Sequence, residues 1–165
     1  QIVDILLQVA KSLRALHVRG YIHCDVKPEN IMVDQSGRVT LIDFGFACKQ
    51  GSVPHTIRGT RDYMAPEQVD RKPLTPQTDI FCFGATMYFL LTGRHVPAMI
   101  PAQNDKALFI RNSVEAPSPR SLKPEIPIAL DALATRCIER DPIARPASMD
   151  EILELLGDVR RRFLE

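Results

Sequence analysis

Residues 21–30 read YIHCDVKPEN, and one short hairpin's length later comes Asp43-Phe44-Gly45. Asp25, Lys27, Glu29, Asn30 and Asp43 therefore crowd onto two neighbouring loops. A hydrophobic core has no use for such a group, because burying an unpaired charge is costly. A site that grips a polyphosphate and its metal ion does. Asn and Asp also favour turns, so either motif alone would also read as turn chemistry.

Working outward, residues 31–33 (IMV) read as a short strand, residues 35–38 as a turn and residues 39–42 as the returning strand. This hairpin holds Asn30 at its entrance and Asp43 at its exit. Ahead of it, Ile5, Leu6, Val9, Ala10, Leu13 and Leu16 recur at helical spacing over residues 2–19, with Gly20 as the stop. His17 lies beside that stripe and reads as a packing or surface residue. Residues 45–61 have no periodicity and read as a loop. Residues 76–92 are apolar on every side, which predicts a buried central helix ended by Gly93. Asp79, at its start, needs a partner there. Residues 94–103 and 116–127 hold most of the prolines and read as loops, with a short helix between them over 105–111. Amphipathic helices are predicted over 128–139 and 149–163, the second capped by Ser148 with Glu151 three residues on.

In HCDVKPEN, DFG and Ala65-Pro66-Glu67 the chain resembles the eukaryotic-type (Hanks-type) serine/threonine protein kinases. These match the family's catalytic loop, its magnesium-binding motif and the motif closing its activation segment. Gly59-Thr60, Asp79 with Gly84, and Arg145 match further family features in the same order. The resemblance implies a mainly α fold: the kinase large (C-terminal) lobe, a helical bundle around a buried central helix with one small hairpin at the cleft. No G-x-G-x-x-G, no strand Lys of the V-A-I-K type and no helix supplying its Glu partner occur among the 165 residues. The expected domain is thus residues 1–165 as a C-terminal lobe, without the N-terminal nucleotide-binding lobe, and this piece by itself is expected to be inactive.

The resemblance also assigns roles. Asp25 would accept the proton of a substrate hydroxyl, and Lys27 would neutralise the γ-phosphate. Asn30 and Asp43 would hold Mg²⁺ and, with Met32 under the adenine, bind the ATP cofactor. Thr60 would bridge Asp25 and Lys27, and Gly59 and Glu29 would belong to the substrate and activation segment. His23 and Phe44 would be spine residues, Asp79 would bond the catalytic-loop backbone, and Glu67 and Arg145 would form a buried ion pair. Lys27 and Thr60 favour Ser/Thr acceptors in proteins, with a small-molecule acceptor left open. Cys24 departs from the family pattern: an Arg there pairs with a phosphorylated loop residue, and a thiol cannot. The alternative from another class is a non-catalytic kinase-like module that binds partners.

Composition bounds the rest. With 45% hydrophobic and 25% charged residues the chain reads as an ordinary soluble domain. A net charge of +1 argues neither for nor against nucleic acid, but no Lys/Arg run interleaves with aromatics, so no nucleic-acid partner is expected. The four cysteines lack C-x-x-C spacing, which argues against zinc and a disulfide framework. Cys24 adjoins a carboxylate, which opposes thiolate formation. The longest apolar run is too short to span a bilayer, so the expected location is cytoplasmic, with any membrane anchor outside this segment.

Overall fold

The computed structural model describes residues 1–97 and 116–164. The short helix expected over 105–111 lies outside them. Helix α1 (Ile2–Val18) buries Leu6, Val9, Ala10 and Leu13, and Gly20, at φ 78°, turns the chain away from it. Strand β1 (Tyr21–Ile22) leads into the catalytic-type loop, and a 3₁₀ turn (Pro28–Asn30) leads out of it. Strands β2 (Ile31–Val33) and β3 (Val39–Leu41) pair antiparallel with Met32 opposite Thr40. The intervening turn is organised by Asp34, whose Oδ1 accepts from the Ser36 and Arg38 amides at 2.8 and 3.0 Å. Gln8 of α1 pins this hairpin down: its Nε2 donates to Gly37 O at 2.9 Å and its Oε1 accepts from Val39 N at 3.0 Å.

The loop expected over residues 45–61 is a loop only in part. Strand β4 (Cys48–Lys49) pairs antiparallel with β1, Cys48 opposite Ile22, so a second two-stranded sheet accompanies the hairpin. A two-residue strand has no periodicity to detect; its partner lies far back in the sequence. Beyond it, Gly51 N and Leu74 O bond at 2.7 Å, and Leu74 N and Ser52 O at 2.9 Å.

Helix α2 (Pro66–Val69) is a single turn that places Glu67 and Gln68 inside the protein. Helix α3 (Pro76–Thr92) is the buried central helix that its sequence requires, stopped by Gly93 at φ 74°. After it come α4 (Pro119–Leu122), a turn of helix within the stretch expected to be loop, then α5 (Ile128–Cys137) and α6 (Met149–Leu164). The main core gathers Leu6, Leu13, Phe83, Met87, Leu133 and Ile152 from α1, α3, α5 and α6. Packing of α1 on α6 carries ion pairs Arg14–Asp150 (2.5 Å) and Arg160–Asp4 (2.8 Å). Both are exposed and worth well under about 1 kcal/mol each.

At the start of α6, Ser148 Oγ accepts from Glu151 N at 3.4 Å, while the Glu151 carboxylate accepts from Ala147 N at 2.7 Å and pairs with Arg136. The Ala147 amide, then Arg136, hold the Glu151 carboxyl below its ordinary range against a desolvation cost. Its contribution is therefore full above the ordinary glutamate pKa and is lost as pH falls through the lowered one.

Gly84 explains how closely α3 and α5 meet. A Cβ built there would sit 2.3 Å from Cys137 Cβ, on an adjoining helix whose backbone cannot yield cheaply. Gly84→Ala gains about 1 kcal/mol of helix propensity, but overpacking of this kind costs about 1–3 kcal/mol or more. The expected result is a net loss read as a lower Tm. An unchanged Tm would mean that α3 and α5 separate freely.

Candidate active site

The side chains of Asp25, Lys27, Asn30 and Thr60 converge. Asp25 is 2% exposed and both its oxygens are engaged. Its Oδ1 accepts from Thr60 N at 2.9 Å and Thr60 Oγ1 at 2.7 Å. Its Oδ2 lies 3.0 Å from Lys27 Nζ and accepts from Asn30 Nδ2 at 3.1 Å. Lys27 Nζ also donates to Thr60 Oγ1 at 2.6 Å. The Thr60 hydroxyl thus receives from the cation and donates to the carboxylate, a closed triangle. Asn30 Nδ2 also donates to Asp25 O at 2.8 Å, which leaves the amide oxygen as the atom available to a cation.

The backbone under this triangle is anchored by Asp79, which is fully buried. Its carboxylate accepts from His23 N at 2.8 Å and Cys24 N at 2.9 Å. His17 Nε2 lies 2.8 Å from Asp79 Oδ2, so His17 belongs to this anchor, beyond the packing role read from the sequence. Cys24 holds φ 70°, a left-handed conformation that a non-glycine residue keeps only when its surroundings enforce it. The two bonds of Asp79 and a third, from Gln68 Nε2 to Cys24 O at 2.8 Å, supply that enforcement. His23 is fully buried; its Nδ1 accepts from Asp25 N at 3.3 Å, so the ring proton sits on Nε2, 3.2 Å from Ile42 O. The ring thereby ties the loop of Asp25 to the strand that delivers Asp43.

Asp43 is exposed, at φ 61°, and its Oδ1 accepts from Gly45 N at 3.1 Å. Ile42 N donates to Asn30 O at 2.9 Å, which fixes the two ends of the hairpin side by side. Phe44, half-exposed, lies 5.0 Å from the His23 ring. Met32 is exposed on β2. Glu29 points outward, apart from the triangle; burial first, then the charges of Glu29 and Asp62, push the Tyr63 phenol up to about 12. Gly59 adopts φ 127°, and a Cβ there would press on Gln68 Nε2, Cys24 O and Met64 Cε at 3.1–3.3 Å.

Glu67 and Arg145, far apart in sequence, form a buried bidentate pair at 2.7 and 3.0 Å. Arg145 also donates to the carbonyls of Gln77, Glu139 and Arg140 and lies 5.0 Å above the Phe81 ring, so all five of its N–H groups are used.

Gln68 was invisible to sequence reasoning. It is 1% exposed; Nε2 also reaches Arg58 O at 3.1 Å, while Oε1 accepts from Ala65 N at 2.9 Å and Cys82 Sγ at 3.4 Å. It fastens the catalytic loop to the segment before Gly59. A polar residue on a one-turn helix carries no pattern, and its partners come from four separate places in the chain.

The protein kinase domain model matches residues 1–155. The chain belongs to the protein kinase family. It is 34% identical over 169 residues to a probable serine/threonine-protein kinase of Clostridium acetobutylicum, covering 99% of this chain and 25% of the relative. It is 33% identical to the serine/threonine-protein kinase PknK of Mycobacterium bovis, covering 97% of this chain and 15% of that protein. The probable serine/threonine-protein kinase PknB of Corynebacterium glutamicum is 31% identical over 96% of this chain and 26% of its own length. This kinase chain thus spans 15–26% of the length of these three relatives. Among its described residues, no helix is long and apolar enough to cross a membrane, and no cluster of three or more His, Cys, Asp or Glu could hold a metal.

Proposed function

We propose that residues 1–165 form the C-terminal lobe of a serine/threonine kinase domain that transfers the γ-phosphate of ATP to Ser or Thr hydroxyls of protein substrates. The observation that supports this most is the Asp25–Thr60–Lys27 triangle, which sets a carboxylate and a cation 3.0 Å apart. Phosphoryl transfer asks for a positioned hydroxyl and neutralised charge more than for covalent help. In this reading Asp25 orients the acceptor hydroxyl and takes its proton. Its four lone-pair positions are occupied, so the hydroxyl replaces one partner. Lys27, whose side chain is 20% exposed, is the partner that gives way in this reading, turning toward the phosphate as the hydroxyl enters.

The residues fit Mg²⁺. Asn30 and Asp43 offer hard oxygens at adjacent ends of one hairpin, and so small a donor set suits an ion that keeps waters and phosphate oxygens around it. Bound there, Mg²⁺ would neutralise phosphate charge. Met32, exposed on β2, is assigned to the adenine floor, and exposed Glu29 to a basic residue of the substrate. The N-terminal lobe that would cover the phosphates belongs to the parent protein in this reading.

The Cys24 thiol cannot bind a phosphorylated loop residue, so regulation is expected not to run through that contact. The test is transfer of γ-labelled phosphate by the full-length protein to protein acceptors. Label on Ser and Thr, lost when EDTA removes Mg²⁺, is expected. A full-length protein that binds acceptors without labelling them would favour the interaction-module reading.

A further inference from the structure

We propose that Cys24 and Cys48 form a redox-modification site, joined as a disulfide when a hydroperoxide reaches the cavity they line. Their Sγ atoms are 3.6 Å apart. A disulfide requires about 2.0 Å, so closing the bond takes about 1.6 Å of movement. No motif announces this pair; the β1–β4 register, which sets Ile22 opposite Cys48, brings the two thiols together.

Both cysteines line a cavity of about 180 Å³, whose walls include Phe46, His55, Arg58 and Leu74. A water needs only about 10–15 Å³ on this measure, so a small hydroperoxide has room. The two cysteines differ in ways that divide the work. Cys48 is partly exposed and sits on a strand of two residues, so it can meet the oxidant and move. Cys24 is 2% exposed, and its amide and carbonyl are held by Asp79 and Gln68. Burial first, then the Asp79 charge, push its thiol far above the ordinary cysteine range, which makes it a poor first nucleophile. Cys82 and Cys137 are fully inside and face no second thiol as closely, Cys82 lying against Gln68 and Cys137 beneath Gly84.

The chemistry balances as follows. Sulfur of Cys48 attacks the hydroperoxide, the O–O bond breaks, and the alcohol (water, for hydrogen peroxide) leaves with the thiol proton. Cys48 is then a sulfenic acid. Sulfur of Cys24 bonds to it, the S–O bond breaks, and the hydroxide leaves as water with the Cys24 proton. Two thiols are oxidised by two electrons and one hydroperoxide is reduced. The bond would close a covalent ring containing Asp25, Lys27, Asn30 and Asp43, and would clamp the chain after DFG to the catalytic loop. The thiol chemistry itself does not depend on phosphate transfer.

The experiment exposes the full-length protein to hydrogen peroxide, blocks free thiols with N-ethylmaleimide in denaturant, and maps the cysteines by mass spectrometry. The expected product is a peptide pair linking Cys24 to Cys48, lighter than the sum of the two by two hydrogens and released by dithiothreitol, with Cys82 and Cys137 alkylated. In Cys24→Ser, Cys48 should instead be trapped by dimedone as the sulfenic acid; in Cys48→Ser, Cys24 should remain alkylated. The proposal is overturned if the wild-type protein yields unreacted Cys48, Cys48 oxidised to sulfinic acid with Cys24 still free, or a Cys48 link between two molecules.

Discussion

Arg145→Leu is expected to destabilise the protein by about 3–5 kcal/mol, the range for stranding one partner of a buried ion pair. Glu67 is 5% exposed and would be left buried without the guanidinium. The carbonyls of Gln77, Glu139 and Arg140 would lose their donor in the same stroke, and the contact with Phe81 would go with them. For a domain of this size the loss corresponds to a Tm lowered by about 10 °C. The double variant Glu67→Leu with Arg145→Leu should recover part of that, because it removes the stranded charge and the pair together. Thermal or urea unfolding of Glu67→Leu, Arg145→Leu and the double variant closes the cycle. A single-variant loss below about 1 kcal/mol would mean that water or relaxation reaches Glu67, and that the pair does not tie α2 to the turn before α6.

Asp25→Asn should lower the rate of phosphate transfer by the full-length protein about 10²–10⁴-fold, the usual contribution of a positioned general base. The change is nearly isosteric. It keeps an oxygen for Thr60 while placing an amide where Lys27 and Asn30 donate, so the triangle opens and the proton acceptor is gone. Asp43→Ala should abolish transfer altogether, since it removes a hard oxygen from the proposed metal site. Because Asp43 is exposed, its loss should lower Tm much less than Arg145→Leu does, the cost being its bond to Gly45 N and the left-handed backbone that Ala tolerates less well. Activity within tenfold of wild type in Asp43→Ala would remove Asp43 from the site, and the same result for Asp25→Asn would remove the base.

Much of this was legible in the residues because it is local. An apolar stripe at three- and four-residue spacing makes α1 bury Leu6 and Leu13 whatever it packs against. Residues 76–92, apolar all round, could only be an interior helix. The hairpin of β2 and β3 and the crowding of Asp25, Lys27 and Asn30 follow from short spacing alone. Asp79 demanded a partner, because a buried carboxylate without one is too costly. The sequence pattern did not identify His17 as one of them, since a single imidazole beside a helical stripe carries no signal of what lies opposite.

Beyond the long-range pairs that the family resemblance implied, tertiary structure decided what joins distant residues. Gln8 pinning the hairpin, Gln68 fastening the loop of Asp25, and His17 reaching Asp79 each depend on chain segments arriving together from separate elements. Sequence analysis expected no disulfide framework because the cysteines lack close spacing, yet Cys24 and Cys48 come within 3.6 Å through strand register. The physical division is one of range. Periodicity, capping and turn chemistry act over a few residues and can be read directly from the chain. Hydrogen-bond partners and thiol contacts between elements are set by how buried surfaces dock, and that is a property of the packed molecule.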